Sequence, residues 1–182
     1  LSPEHVAVVV RHERDRVAAE VVERAPDAIV VDQDDVPGTG RAVEVAVEAL
    51  PADFDGAVVV LSGDVPLLDA ASLRLLVDAH VGGGNGATFV SAIAPDPTGL
   101  GRIVRDASGA FVSVVEHKDA TAEQLTITEA NAGIYAFDVA RLRAALPSLT
   151  TANAQGEKYI TDAPALISER GGRIDVVTLT DP

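Results

Sequence analysis

Residues 56–68 read GAVVVLSGDVPLL. The run Val58–Leu61 is apolar at every position, which suits a parallel strand covered by helices on both faces. Polarity returns abruptly at Ser62, Gly63 and Asp64. In open α/β sheets, ligands sit beyond the carboxyl ends of the strands, so a carboxylate just past such a run projects into the binding crevice. Mg²⁺ takes one or two carboxylates and fills its shell with water and phosphate oxygens. Asp64 therefore has two readings at this point: a metal ligand, or a turn residue capping the next helix.

The same texture extends on both sides. Strands are expected at His5–Val10, Asp27–Val31, Gly56–Leu61 and Ala87–Ala94, with helices at Arg14–Arg24, Arg41–Leu50 and Ala70–Val81 between them. Past the glycine-rich turn Gly82–Gly86 the polar–apolar alternation sharpens. Gly101–Arg105 and Ala110–Glu116 flank the turn Asp106–Gly109 and read as a hairpin. A strand at Ala130–Phe137, helices at Asp138–Leu146 and Tyr159–Arg170, and a strand at Arg173–Leu179 complete the pattern. Nothing repeats, and no linker intervenes. One domain over residues 1–182 is expected, with a parallel sheet first and a mixed region second.

The chain of 182 residues is long enough for a sizeable core, and 47% of its residues are hydrophobic. A formal net charge of −14 argues against wrapping nucleic acid or docking on an anionic membrane, since both need basic surface. Phosphate groups can still be held locally by a metal and backbone N–H groups. There is no cysteine, so thiolate metal sites and disulfides are excluded, which agrees with a cytoplasmic location. Methionine is also absent and the first residues already enter a strand, so the chain is expected to be a piece of a longer protein.

Two further groups of segments carry chemistry. In Gln33–Ala42, QDDVPGTGRA, the glycines of Gly38-Thr39-Gly40 stand between a strand and a helix start, where backbone can approach a ligand and an anion is favoured. Gln33 offers a donor and an acceptor, the pairing that reads a pyrimidine edge. Neither GxxxxGK[ST] nor GxGxxG is present, and the alternative is a loop with Thr39 as helix N-cap. The other group is spread over DPTGLGRIV (Asp96–Val104), VEHKDA (Val115–Ala120), EANAGIYAFD (Glu129–Asp138) and NAQGEKYITDAPAL (Asn153–Leu166). Glu116 can accept hydrogen bonds from sugar hydroxyls and Asn131 can pair with an amide. Turn and cap roles are the alternative for each of these residues.

In this order and spacing the segments resemble, over the whole chain, the uridyltransferase domain of the bacterial bifunctional N-acetylglucosamine-1-phosphate uridyltransferase/glucosamine-1-phosphate acetyltransferases. The GTG and GDxP elements are general to sugar nucleotidyltransferases. The combination of VEHKDA, E-x-N-x-GI and NAQGEKYITD points to this family. The resemblance implies an α/β, Rossmann-like nucleotidyltransferase fold of the GT-A-like kind: a mixed, mostly parallel sheet flanked by helices and lacking its first strand. It implies that Gln33 reads uracil, that Gly38 and Thr39 close on the base, and that Ser62, Gly63 and Asp64 form the nucleotide- and metal-binding strand end. Asp64 would bind Mg²⁺. Gly101 would contact the sugar through its backbone, Glu116 would accept from sugar hydroxyls, Asn131 would lie near the N-acetyl group, and Thr161 near the sugar phosphate. The implied substrates are UTP and N-acetylglucosamine 1-phosphate; the products are pyrophosphate and UDP-N-acetylglucosamine, a cell-wall precursor. The implied parent protein is a homotrimer.

The chain also departs from the family pattern. A glycine-rich loop of the form GxGTRM, its lysine, a second metal-binding Asn and the acetyltransferase domain have no counterpart within residues 1–182. Weak nucleotide binding and little activity are therefore expected of the chain alone. Arg41 stands for a usual His, Ser62 for a common Tyr and Ala132 for a usual Thr or Ser, and Pro164 is expected to interrupt an apolar helix. The competing functions are a nucleotidyltransferase for another sugar 1-phosphate or base, and a non-catalytic nucleotide-sugar-binding fragment.

Overall fold

A computed structural model describes residues 1–63 and 69–179. The elements follow in the order β1 (Ala7–Val10), α1 (Arg14–Arg24), β2 (Ile29–Asp32), α2 (Thr39–Glu48), β3 (Ala57–Leu61), α3 (Ala70–Gly83), β4 (Ala87–Ile93), β5 (Arg102–Arg105), β6 (Phe111–Val115), β7 (Glu129–Asp138), α4 (Val139–Ala145), α5 (Ala163–Glu169) and β8 (Ile174–Leu179). Short 3₁₀ turns lie at Gln124–Thr126, Leu146–Ser148 and Ile160–Asp162. The expected strands and helices are all present, with ends moved by a few residues.

The sheet is mixed, as expected, but its pairing differs from a parallel array. β1 and β2 form a separate parallel pair, and the larger sheet runs β6-β5-β7-β4-β8 with β3 also on β7. β7 is antiparallel to β3, β4 and β5, β6 is antiparallel to β5, and β4 is parallel to β8. Strands β3, β4, β5 and β8 thus share one direction, while β6 and β7 oppose it. The predominance of parallel strands holds for direction and fails for pairing, because β7 is inserted between β3 and β4. A second correction concerns cover. AVVVL of β3 is apolar throughout, yet Ala57–Val60 are only half-buried and Leu61 is exposed. Among the described residues β3 has a strand partner on one edge alone.

Side chains of β7 alternate between two cores, as the two-residue period of a strand requires. Tyr135 and Phe137 face a core with Phe89, Val43 and Val47 of α2, Leu142 of α4 and Ile167 of α5. Ile134 and Ala136 face the other way, against Val90 and Leu76 of α3. Helix starts follow local chemistry. Asp69 caps α3 by accepting from the Ser72 N–H at 2.7 Å, and Asp138 caps α4 through the Arg141 N–H at 2.8 Å. Pro164, expected to interrupt a helix from Tyr159, lies in the first turn of α5, where its missing N–H costs nothing. The preceding Ile160–Asp162 turn is 3₁₀. Among the described residues no helix is long and apolar enough to cross a membrane.

One polar cluster inside this frame titrates. His80, near the end of α3, is 4% exposed, with its Nδ1 3.1 Å from the Thr88 hydroxyl of β4. Thr88 also accepts from the Asn85 amide at 2.9 Å, so the imidazole, hydroxyl and amide form one buried cluster. Burial pushes His80 below the ordinary histidine value of 6.5, against the pull of Asp138. A depressed folded-state value means that stability is complete above 6.5 and lost as pH falls toward the folded value. Denaturant titrations between pH 7.5 and 5 are expected to show this loss, at most about 1.4 kcal/mol per pH unit for one proton. His80→Gln should flatten that slope; an unchanged slope would remove His80 as its source.

Candidate active site

The site is built where β7 bends. Phe89 and Ser91 of β4 oppose Tyr135 and Asn131, so β7 carries extra residues between those pairs. Gly133 sits in this bulge at φ +73°, and a Cβ there would lie 3.3 Å from the Ser62 hydroxyl. The glycine lets the end of β3 close against the bulge. The Asn131 N–H then donates to the Gly101 carbonyl at 2.9 Å, bringing in the start of β5. A Cβ on Gly101 would meet Val114 at 3.0 Å, with Asn131 and Glu116 Oε2 at 3.6 Å. Glu116, just past β6, accepts from the Thr161 hydroxyl through Oε1 at 2.9 Å. Ser62, Gly133, Asn131, Gly101, Glu116 and Thr161 therefore form one continuous row.

Asn131, Glu116 and Thr161 are each partly committed. Asn131 donates to the Tyr135 hydroxyl at 2.6 Å and accepts from the Gly133 N–H at 3.3 Å, which leaves one amide hydrogen free. Burial raises the Tyr135 phenol well above its ordinary value, so it stays neutral and receives that bond. Thr161 is 3% exposed and spends its hydroxyl hydrogen on Glu116, so it shapes this carboxylate. Asp162 beside it is raised by burial, then by the charges of Glu116 and Asp119.

The second part of the site is the loop before α2. Gln33 donates both amide hydrogens to its own loop, to Val36 O at 3.0 Å and Gly38 O at 3.1 Å. Of the donor and acceptor expected of it, only the Oε1 acceptor remains. Gly38 has φ +112°, and a Cβ on it would fall 2.2 Å from the Lys158 carbonyl. Thr39 is the first residue of α2 and not its cap; its hydroxyl accepts from the Ile160 N–H at 3.2 Å. Gly40 N–H donates to Lys158 O at 2.8 Å and Lys158 N–H to Pro37 O at 2.9 Å. The loop is thus tied to the segment that delivers Thr161.

Other motif residues hold the frame. Asn153 accepts from the N–H groups of Gln155 and Glu157 at 3.2 and 3.1 Å. Asp119 accepts from the Ala154 N–H at 2.8 Å, and Lys118 donates to Gln155 at 2.5 Å. These bonds dock NAQGEKY on the VEHKDA turn. Gly63 is an exposed turn residue after Ser62, and Asp64 lies outside the described residues. Among the described residues no group of three or more His, Asp or Glu side chains is placed to hold a metal. Sequence reading missed Gly133 and Lys158. Gly133 was visible as the glycine of E-x-N-x-GI, whereas nothing local marks Lys158, whose partners in α2 lie over a hundred positions away.

The family model described as nucleotidyl transferase matches residues 2–177. Proteins named bifunctional protein GlmU are similar over the chain's full length, at 56% identity in Clavibacter sepedonicus and 55% in Leifsonia xyli. The relative in Streptomyces coelicolor is 46% identical over 96% of the chain. The chain spans 37% of the length of the first two relatives. A crystal structure of a protein named as a glucose-1-phosphate thymidylyltransferase from Bacillus anthracis, in complex with a sucrose, superposes with a TM-score of 0.69. That match covers 96% of this chain and 67% of the other at 18% identity, and it speaks for the fold alone.

Gly38→Ala is expected to cost about 2 kcal/mol or more in denaturant unfolding, since it combines positive φ with a backbone clash. Gly82→Ala, in a helix with open space around the added methyl, should be neutral or stabilising. Equal effects of the two would show that the Gly38 loop does not need glycine.

Proposed function

We propose a function for this chain from one premise: it belongs to the nucleotidyl transferase family. The chain, residues 1–182, is read as a partial sugar-nucleotidyltransferase domain that handles UTP and N-acetylglucosamine 1-phosphate. The supporting observation is the row from Ser62 to Thr161 at the carboxyl end of β3, with the Gln33 loop tied to its far end. Full-length similarity to proteins named bifunctional protein GlmU supports the same reading.

In this reading a phosphate oxygen of the sugar phosphate attacks the α-phosphorus of UTP. The new P–O bond forms as the bond to the β-phosphate breaks, and pyrophosphate leaves with the electron pair. The attacking phosphate is already anionic, so no side chain has to act as general base. The protein's work is positioning and charge stabilisation. Glu116 Oε2, free of the Thr161 bond, accepts from sugar hydroxyls while the remaining amide hydrogen of Asn131 serves the N-acetyl carbonyl. In the same reading the Gly101 backbone contacts the sugar. Gln33 Oε1 accepts from the N3–H of uracil; cytosine presents an acceptor there and is disfavoured.

Family members generally use a divalent metal. Here the reading assigns Mg²⁺ to Asp64, with Ser62 and Gly63 shaping the strand end before it. The donor set is oxygen, which suits a hard cation sharing its shell with phosphates. Bound there, Mg²⁺ would neutralise charge on the transferred and leaving phosphates. The reading also takes the longer parent protein to be a cytoplasmic homotrimer.

Calorimetric titration with UTP, CTP, dTTP and GTP in Mg²⁺ tests the base assignment. UTP should bind more tightly than CTP, whose N3 is an acceptor, and Gln33→Ala should weaken UTP about tenfold and erase that advantage. Equal affinities in the unaltered chain would sink uracil reading. Asp64→Ala should abolish the Mg²⁺-dependent part of UTP binding, and full retention would sink the metal assignment.

A further inference from the structure

The Gln33 loop is fastened by charges that the proposed chemistry does not use. Lys158 Nζ donates to Glu44 Oε2 of α2 at 2.9 Å, with the two side chains 20% and 13% exposed. Arg41 lies 2.8 Å from the same Glu44 oxygen and reaches Asp34 through three further bonds, the shortest 2.7 Å. Asp34 directly follows Gln33 and accepts from the Val36 N–H at 3.1 Å. The network therefore runs from the residue beside Gln33, across α2, to Lys158. Lys158 in turn clamps Pro37 and Gly40 through its own backbone. Burial alone would raise the Glu44 carboxyl, but Lys158 and Arg41 outweigh it and hold Glu44 below the ordinary range.

We propose that Lys158, held by Glu44, is a positioning residue that keeps the base-reading loop shut, with Arg41 as the shared second cation. This rests on the reading above that the loop reads uracil. Gly38 has no Cβ because the Lys158 carbonyl occupies that space, so the position of this one backbone unit decides how far the loop closes. The Lys158 ammonium anchors that unit to α2. Without it, Glu44 keeps Arg41, α2 stays formed, and the 158–160 segment loses its side-chain fastening. Gln33 then spends less time with Oε1 presented to a base. Lys158 touches no reacting atom in this picture and acts only through Gln33.

The test uses Lys158→Met, which keeps the apolar stem, and Lys158→Arg, which keeps the charge. Binding of UMP and of N-acetylglucosamine 1-phosphate is measured by titration, and amide exchange is followed at Gly40 and Ile160. Lys158→Met should weaken UMP about tenfold, leave the sugar phosphate within about twofold, and speed exchange at both amides. Lys158→Arg should restore most of the affinity. In a Gln33→Ala background Lys158→Met should cost nothing more, because a positioning effect vanishes with the group it positions. Unchanged UMP affinity in Lys158→Met overturns the proposal, as does a full additional loss in the Gln33→Ala background. An unaltered chain that binds no uridine nucleotide would instead overturn the function, and the two failures are distinguishable.

Discussion

One edge of strand β7 is shared end to end by β3 and then β5, and the rest of the site depends on that arrangement. β3 pairs with the second half of β7, Ile134–Asp138, and β5 with its beginning at Ala130. Between them the chain must bulge, and Gly133 makes the bulge possible by taking positive φ and leaving room for Ser62. Neither strand continues across the seam, so the end of β3 and the start of β5 meet there. A carboxyl end of one strand and a glycine start of another, held at fixed spacing by one backbone, make a rigid place for small polar groups.

Rigidity on one side is complemented by a fastened loop on the other. The row from Ser62 to Thr161 rests on buried strands and on the Tyr135–Phe89–Phe137 aromatic core. The Gln33 loop rests on backbone bonds to 158–160 and on partly exposed ion pairs. Interactions of the second kind are weaker and more easily opened than burial. Under the proposed function this division makes sense, since the sugar pocket keeps its shape while the base loop must admit a nucleotide.

Periodicity and turn chemistry were enough to identify every element, because the apolar runs are long and the turns at Asp106–Gly109 and Gly82–Gly86 are explicit. They were not enough for pairing. An all-apolar strand reads the same whether its neighbour runs parallel or antiparallel, so β7's position between β3 and β4 was illegible. Nor could β3 be recognised as half-covered, since hydrophobicity reports what a strand would bury and not what lies beside it. Pro164 was misread for a local reason: a proline in an apolar run looks the same whether it breaks a helix or begins one.

For the site, residue type alone determined which groups can donate, accept or ligate: the carboxylates of Asp64 and Glu116, the amides of Gln33 and Asn131, the glycines of the loop. Motif order carried them to a family. Only the tertiary structure decided which of their bonds are already spent, leaving Gln33 its acceptor, Asn131 one hydrogen and Glu116 one oxygen. It also placed Lys158 against Glu44, Pro37 and Gly40, far from it in sequence. Hydrogen bonds are short-ranged and saturable, so their allocation depends on which distant segments meet, and that follows from the packing of the whole sheet.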